Sequence, residues 1–254
     1  MKKIILIAIS FFALTSCTKE EDAVTAASTD GLVLLHSTVN TINDTLSYTT
    51  NYTYNGNDLV KVTFDNGDYD QYTYLDGNIS EIKCYVSDTL RDIKTFSYNS
   101  NNLISQYLVT QPRDSTAQKE VYSYPGNGNI SFVATKGNLI AQTTPSHTGT
   151  VFFTNDEVTM IQAIYPVTGT KVRNYTYDQR KSPMKNVTGY SKISFVNSEA
   201  KGIFHNQLTN IYSVPGSPTV NNKKEFTYNA AFYPDTAVDF INNVAQEGIT
   251  KYNY

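Results

Sequence analysis

Tryptophan is absent from this 254-residue sequence, and cysteine and histidine are scarce, with two and three residues. The absence of tryptophan removes the side chain that stacks best on sugars, although tyrosine can substitute for it. The three histidines, His36, His147 and His205, lie far apart, and none is spaced with another ligand as in a zinc site. We therefore expect no metal and no other cofactor.

An excess of basic charge is also missing. The formal net charge is −3, and the lysines and arginines are scattered rather than clustered. Nucleic-acid-binding proteins carry a basic patch, so nucleic acid is excluded as a partner. The length allows one large all-β domain or two smaller ones, each with a real core.

The N-terminus has the pattern of an export signal. Residues 1–3 are basic and residues 4–14 are apolar, but this run is too short for a mature transmembrane helix. Leu14-Thr15-Ser16-Cys17 resembles the bacterial lipobox, which implies removal of residues 1–16 and acylation of Cys17. The alternative is an ordinary secretory signal that ends near a cysteine. Several acyl chains on one cysteine give stable anchoring, so the lipobox predicts a lipoprotein held in the cell outer membrane.

The segment that follows is predicted to be a tether. Residues 17–30 comprise the lipidated cysteine and a polar, low-complexity run, which is typical of a flexible linker. Lys19-Glu20-Glu21-Asp22 resembles the acidic signal that sends Bacteroidetes-type lipoproteins to the outer face of the outer membrane. A solvated charge run is the alternative. Residues 31–254 are predicted to form a single β-sheet domain.

The second cysteine, Cys84, lies in the alternating apolar stretch from Ile79 to Val86. With Cys17 acylated, the mature protein has no intramolecular disulfide. We interpret Cys84 as a small buried hydrophobe, because a reactive thiol needs a cationic, exposed setting that the sequence does not indicate.

The rest of the chain repeats one pattern, in which alternate aromatic residues end a strand, a polar turn follows, and a new apolar strand begins. Twenty tyrosines and twelve phenylalanines favour strands over helices. Copies of the pattern begin at Tyr52-Thr53-Tyr54, Tyr72-Thr73-Tyr74, Phe96-Ser97-Tyr98, Tyr122-Ser123-Tyr124, Tyr175-Thr176-Tyr177, Phe226-Thr227-Tyr228 and Tyr252-Asn253-Tyr254.

Turn residues predict an up-and-down order of strands. Asn66-Gly67 and Asp76-Gly77 are two-residue hairpin signals, because both pairs tolerate positive φ, and strands adjacent in sequence are then neighbours in the sheet. A short helical turn is expected at residues 182–190 or 198–203. The predicted strands are 32–42, 45–54, 59–64, 69–74, 79–86, 92–98, 103–110, 119–124, 130–136, 139–143, 151–154, 158–165, 171–177, 207–213, 223–228 and 249–254.

These strands predict an all-β fold: a long antiparallel meander of hairpins curled into an open barrel-like or rolled sheet, soluble rather than transmembrane. The aliphatic face is expected inside and a ladder of tyrosines and threonines partly exposed outside. A transmembrane barrel is the competing geometry. Most predicted strands run five to eight residues, short of the roughly nine to eleven that span a bilayer.

The repeat resembles the tyrosine-aspartate (YD) repeat of RHS proteins and, more closely, small Bacteroidetes-type lipoproteins with a porin-like fold. Tyr175-Thr176-Tyr177-Asp178 followed by residues 182–187 resembles their mid-chain signature, and residues 226–230 with Tyr233-Pro234 resemble their closing hairpin. Ala231-Phe232 replaces the Asp-Gly expected there. The resemblance spans residues 45–254 and implies a curved β-sheet domain without an assigned reaction.

Four tripeptides match Asp-Ser/Thr-apolar or its close variant, which resembles the O-glycosylation acceptor of Bacteroidetes-type exported proteins. We expect about one by chance from the residue frequencies. The alternative is that Asp-Thr pairs are good turn residues. The candidate acceptors are Thr45, Thr89, Ser115 and Thr236.

The sequence contains no catalytic motif, and two classes of function remain. The first is a surface-exposed, lipid-anchored protein that binds a glycan or protein ligand or has a structural role, and we predict no enzyme. The alternative is a secreted glycan-active hydrolase whose acidic residues converge only in the fold. The acidic cluster at residues 65–70 lacks the spacing of a calcium loop and is explained by a hairpin turn.

Overall fold

The computed structural model describes residues 32–42, 46–246 and 248–254. These residues form one compact unit, built from seventeen strands, the short helix α1 and a 3₁₀ turn at Pro112–Asp114. Among the described residues, no helix has the length and apolar character needed to cross a membrane. The elements are β1 (Ser37–Ile42), β2 (Leu46–Asn55), β3 (Asp58–Phe64), β4 (Tyr69–Leu75), β5 (Asn78–Val86), β6 (Thr89–Tyr98), β7 (Ile104–Gln111), β8 (Thr116–Ser123), β9 (Ile130–Asn138), β10 (Thr144–Thr154), β11 (Glu157–Tyr165), β12 (Gly169–Lys181), α1 (Tyr190–Ile193), β13 (His205–Ser213), β14 (Val220–Tyr228), β15 (Pro234–Ile241), β16 (Val244–Ala245) and β17 (Ile249–Asn253).

The sheet closes on itself. Each strand from β1 to β15 pairs antiparallel with the next, and β17 pairs with both β15 and β1. Thr38 of β1 lies opposite Tyr252 of β17 on one side and Thr50 of β2 on the other. Within the described residues, β1 to β15 and β17 therefore form a closed antiparallel barrel, and the two-residue β16 pairs beside β15.

The predicted architecture, an open barrel-like or rolled sheet that is soluble rather than transmembrane, is therefore wrong. Closure leaves no free sheet edge, and a closed barrel is how an antiparallel sheet of this size removes its edges. The strand-length premise also fails, because β2, β6, β10 and β12 contain 10, 10, 11 and 13 residues. These lengths reach the nine to eleven residues that span a bilayer.

The repeated tyrosines face the barrel interior, opposite to the predicted exposed ladder. Tyr122 and Tyr175 are 6% and 3% exposed, whereas Thr73 and Thr176, which stand between repeat aromatics, are exposed. Successive side chains of a strand point to opposite sides. The aromatic residues of each repeat therefore fill the inside, and the hydroxyl residue between them faces out.

The second tyrosine of a repeat ties neighbouring strands together at one end of the barrel, where connections such as β2–β3, β4–β5 and β6–β7 lie. We call this the tyrosine end. The hydroxyl reaches back 19 or 20 residues to a backbone carbonyl at or before the start of the preceding strand. These tyrosine latches are Tyr54 to Leu35 (2.8 Å), Tyr98 to Ile79 (2.7 Å), Tyr124 to Ile104 (2.7 Å) and Tyr177 to Val158 (2.7 Å).

Residues 182–204, which connect β12 to β13, fold into the barrel rather than over it. We call them the inner segment. Ile193, Phe195 and Ala200 pack in the main hydrophobic cluster with residues of β5 to β12, and Val187 packs with Leu59 and Val62 of β3. The core of the protein is therefore the contact between the barrel wall and this segment.

Four further local features differ from the predictions. The helix α1 begins at 190, the last residue of the first predicted helical stretch, and ends at 193, and 139–143 forms a connection rather than a strand. Strand β15 was not predicted. At Asn66-Gly67 the loop has four residues, with the Phe64 N–H bonded to the Asp68 carbonyl (2.9 Å). Asp76-Gly77, with φ of 50° and 71°, is confirmed as a two-residue turn.

Candidate functional site

Two cavities of about 450 and 430 Å³ lie between the inner segment and the barrel wall. The first faces β13, β14, β15 and β17, and the second faces strands β2 to β7. Both are lined by Met184, Tyr190, Glu199 and Lys201 of the inner segment. These four side chains therefore separate two compartments of one interior space.

The second cavity combines aromatic rings with charged groups. Its wall includes Tyr52, Tyr72 and Phe96 from the repeats, and Asp70 and Lys94 add one charge of each sign. Burial raises the pKa of Tyr72 above its ordinary value, and its protonated hydroxyl can donate a hydrogen bond. The compartment can contact both the faces of a ligand ring and its polar groups.

The first cavity is lined by amides and by both signs of charge. Asn206 is 3% exposed, and its Oδ1 has no hydrogen-bond partner, while its Nδ2 donates to Asp178 (3.0 Å). Lys224 of β14 pairs with Asp239 of β15 at 3.1 Å in the same lining. A buried acceptor without a partner is costly, so the position of Asn206 is held by its contacts with Asp178 rather than by this oxygen.

Glu157 fixes the end of the inner segment. Its carboxylate, 4% exposed, accepts hydrogen bonds from the backbone N–H groups of Ile203 (3.0 Å), Phe204 (2.8 Å) and His205 (2.8 Å), and it lies 3.2 Å from His205 Nδ1. A carboxylate that accepts several N–H bonds is a strong anchor. Glu157 therefore holds the return of the chain into β13.

Glu120 fixes the middle of the same segment. It is fully buried and accepts hydrogen bonds from the Asn197 N–H (2.8 Å) and from the Tyr122 hydroxyl. Burial raises the pKa of Glu120, although the two hydrogen bonds work against that shift. Its Oε1 has no hydrogen-bond partner. Burying this carboxyl group costs free energy. Its hydrogen bond from the Asn197 N–H fixes the position of Asn197 against the wall.

The tip of the inner segment is a strained turn. Asn197 and Ser198 both have left-handed backbones, with φ of 61° and 55°. Such residues cost of order 1–3 kcal/mol each and persist only where their surroundings determine them.

The tip also contacts a histidine of the wall: Ser198 Oγ lies 3.0 Å from His147 Nε2. Burial, together with nearby Lys171, lowers the pKa of His147. Asn197 is exposed although it lies inside the barrel, so solvent reaches the tip.

Another, smaller cavity of about 90 Å³ lies beside this tip. Two cations from β12 line it: Lys171 Nζ lies 4.1 Å from the centre of the Tyr165 ring, and the Arg173 guanidinium lies 4.3 Å from the centre of the Tyr212 ring. Ser198 closes the cavity from the inner segment. The space is therefore small, and two of its lining residues are cations.

The predicted modification sites are separated in the structure. Cys17 and Thr45 lie outside the described residues. Thr89, at the start of β6, and Ser115, which follows the 3₁₀ turn, are both exposed. The Thr236 hydroxyl lies in β15, 2.7 Å from the hydroxyl of Thr227. The structure thus gathers none of the three described residues, Thr89, Ser115 and Thr236, into one site.

Cys84 is buried, as predicted, with 2% of its surface exposed, and burial raises the pKa of its thiol to about 11. Two of the histidines contact other side chains rather than each other: His147 contacts Ser146 and Ser198, and His205 contacts Glu157. No group of three or more possible metal ligands occurs among the described residues.

Sequence reasoning missed the inner segment and its two anchors, Glu120 and Glu157. One signal was available: the connection at 182–204 is much longer than the two-residue connections at 56–57, 76–77 and 155–156. Long connections inside compact domains are often functional. The anchors themselves had no such signal, because each is a single acid in or at the end of an ordinary strand.

Comparison with protein-family models finds no match, and comparison with curated proteins finds no similar sequence. Among solved structures, the chain is similar to a porin-like protein from Bacteroides vulgatus, with 9% identity, a TM-score of 0.44, and coverage of 87% of this chain and 98% of the other. It is also similar to a porin-like protein from Bacteroides uniformis, with 12% identity, a TM-score of 0.38, and coverage of 87% and 84%. Both similarities are too low to bear on what this chain does.

Proposed function

We propose that this protein is a lipid-anchored outer-membrane barrel that binds a small polar ligand between the inner segment and the barrel wall. The observation that carries the proposal is the pair of cavities of about 450 and 430 Å³ that meet at Met184 and Tyr190. Each lies within the range of roughly 300–1,000 Å³ that small-molecule sites occupy. Closure of the sheet leaves no free edge for strand addition, so the interior is the better-supported binding surface.

Binding is better supported than hydrolysis. A glycan hydrolase needs two carboxyl groups that flank the substrate and are free to exchange protons. The buried acids of this chain are engaged elsewhere: Glu157 and Glu120 hold the inner segment, and Asp92 pairs with Arg91 at 2.7 Å. In the first cavity, Asp239 is paired with Lys224. These pairings give these four acids structural roles.

The chemistry of the cavities favours a ligand with ring faces and hydroxyl groups, such as a mono- or disaccharide. Tyr52, Tyr72 and Phe96 offer ring surfaces, and Asn206 and Asn222 offer amides in the neighbouring compartment. Tyrosine rings take the role that tryptophan often has in sugar stacking. A glycan fragment at the cell surface fits this chemistry.

Ligand-observed NMR with a panel of mono- and disaccharides tests the proposal. We expect saturation transfer to at least one sugar with the wild-type protein, and its loss in Met184→Trp, whose larger side chain fills the junction of the two cavities. Lys83→Met, on the outer wall beside Glu81, is the matched control and keeps the signal. Equal transfer to wild type and Met184→Trp would contradict binding in the interior.

The anchor is proposed from Cys17 and the lipobox around it. Protease shaving of intact cells, followed by peptide mass spectrometry, is expected to release peptides from residues 31–254 of the native protein. A Cys17→Ala variant is expected in the periplasm or the medium instead. Protection of the native protein until the envelope is opened would contradict display on the cell surface.

Glycans on Thr45, Thr89, Ser115 and Thr236 are a separate part of the proposal. The exposure of Thr89 and Ser115 supports modification there, whereas the bond of Thr236 to Thr227 makes it the poorest acceptor of the three described residues. The intact mass of the native protein is expected to exceed that of the chain plus lipid. A mass equal to chain plus lipid alone contradicts it.

A further inference from the structure

We propose that the 90 Å³ cavity beside the tip of the inner segment is an oxyanion site that takes a phosphate group, held by Lys171, Arg173 and Ser198. The proposal deepens the proposed function, because it assigns an anionic group to ligands of the barrel interior. It rests on four features: size, charge, hydrogen-bond donors and access.

The size of the cavity fits one tetrahedral anion. Liquid water occupies about 30 Å³ per molecule, so about 90 Å³ holds roughly three waters or one phosphate group. Ile161 and Ala163 form an apolar floor. A sugar ring with its hydroxyl groups belongs instead in the neighbouring larger cavities.

The charge of the cavity is positive. Among the described residues, no carboxylate oxygen lies within 4.0 Å of Lys171 Nζ, whose close contact is the Tyr165 ring. Arg173 lies 3.7 Å from the carboxylate of Glu199, which is half exposed and well screened. Glu120 is the other acid close to the cavity: it accepts the Asn197 N–H, and burial raises its pKa, which favours its neutral form. Two cations thus face the weakly held Glu199 and a Glu120 whose charge is disfavoured, and a bound oxyanion would balance the excess.

The donors are placed on two independent elements. Lys171 and Arg173 stand two residues apart on β12, so both side chains point to the interior, and the aromatic rings of Tyr165 and Tyr212 fix them from the adjacent strands. Ser198 reaches the same space from the strained turn of the inner segment. Arginine and lysine together are the usual protein groups for phosphate.

Access is provided from inside the barrel. Asn197, which lines this cavity and the second cavity described above, is exposed to solvent. A ligand in the larger compartment can therefore extend an anionic group past Asn197 towards Lys171. Free inorganic phosphate can enter by the same route.

Isothermal titration with inorganic phosphate and, separately, with glucose 6-phosphate tests the site and distinguishes its two sources. We expect saturable binding of at least one probe by wild type, and a loss of about tenfold or more in affinity in Lys171→Met and in Arg173→Met, because each removes a charge-assisted contact. Tighter binding of glucose 6-phosphate than of phosphate would assign the site to an organic phosphate. The reverse order would assign it to the free anion.

Lys171→Arg keeps the positive charge and is expected to keep binding, so it distinguishes loss of the charge from loss of the fold. Lys83→Met, on the outer wall, is the matched control for removal of a lysine charge elsewhere. Far-UV circular dichroism and the urea midpoint verify that each variant is folded. Equal affinity of wild type and folded Lys171→Met, or no saturable binding of either probe by wild type, overturns the proposal. Neither result touches the binding of neutral sugars, which the Met184→Trp experiment measures independently.

Discussion

The barrel wall and the inner segment are held in place by different means. The tyrosine end of the wall is tied by many similar bonds, each one hydroxyl to one carbonyl, such as Tyr98 to Ile79. The inner segment depends on a few concentrated anchors, above all Glu157 with three backbone donors and Glu120 with one. A distributed set of bonds loses little when one is removed, whereas a concentrated anchor loses several at once.

Glu157→Ala is expected to have the largest effect on stability. It leaves the N–H groups of Ile203, Phe204 and His205 without their acceptor. A buried donor left unsatisfied costs about 1–3 kcal/mol, so the three together are expected to cost about 3 kcal/mol or more. The free energy of unfolding in urea measures the loss. Glu225→Ala, where the carboxylate is half exposed and pairs only with Lys223, is the control and is expected to change stability by less than about 0.5 kcal/mol. Similar losses in both variants would contradict a special role for Glu157.

Tyr98→Phe is expected to cost about 1 kcal/mol, because it removes one hydroxyl donor and keeps the ring packed in the core. Tyr177→Phe removes the equivalent bond, to Val158 at 2.7 Å, and should cost a similar amount. Tyr48→Phe, at an exposed position, provides the baseline. If Tyr98→Phe destabilises as much as Glu157→Ala, the contrast between distributed and concentrated bonds fails.

The sequence predicted much of the wall. Turn signals such as Asp76-Gly77 and the alternation of apolar residues are local in the sequence, so they can be recognised without the fold. Strands such as β5 and β11 accordingly begin within one residue of their predicted starts. Strand β15 was missed because Pro234 and the residues before it matched a closing turn rather than a strand. Closure depends on pairing of β1 with β17 across the length of the domain, which no local pattern records.

The direction of the tyrosines also escaped sequence reasoning. An amphipathic ring is compatible with either face of a sheet, and the polar hydroxyl favoured the outside. The structure gives that hydroxyl a partner at the inner rim, as between Tyr124 and Ile104, so the ring can be buried without an unsatisfied donor. The cationic cavity was likewise unpredictable, because Lys171 and Arg173 meet Ser198 only after the inner segment enters the barrel.

The pH dependence of stability separates Glu120 from the wall. Burial raises the folded-state pKa of Glu120 above its unfolded value of about 4.5, so its contribution is fully present below that value and is lost as pH rises through the folded pKa. We expect wild type to lose stability relative to Glu120→Gln over the window above pH 4.5. Urea titrations of both proteins at several pH values measure this difference, and Glu81→Gln on the exposed wall is the control. A constant difference at all pH values would mean that burial does not shift this pKa.

The smallest effect is expected on the outer face of the wall, where two neighbouring residues of β12 provide a direct comparison. The Tyr175 hydroxyl accepts the N–H of Ala200 at 3.1 Å inside the barrel, whereas the Thr176 hydroxyl meets that of Thr209 at 2.7 Å on the exposed side. Water can replace the outer hydrogen bond, so Thr176→Val should change the free energy of unfolding by less than about 0.5 kcal/mol. Water cannot reach the inner hydrogen bond, so Tyr175→Phe should lower the free energy of unfolding by about 1 kcal/mol or more. Hydrogen exchange at the Ala200 amide should rise only in Tyr175→Phe. Equal exchange in the two variants would show that the wall does not hold the inner segment at this point.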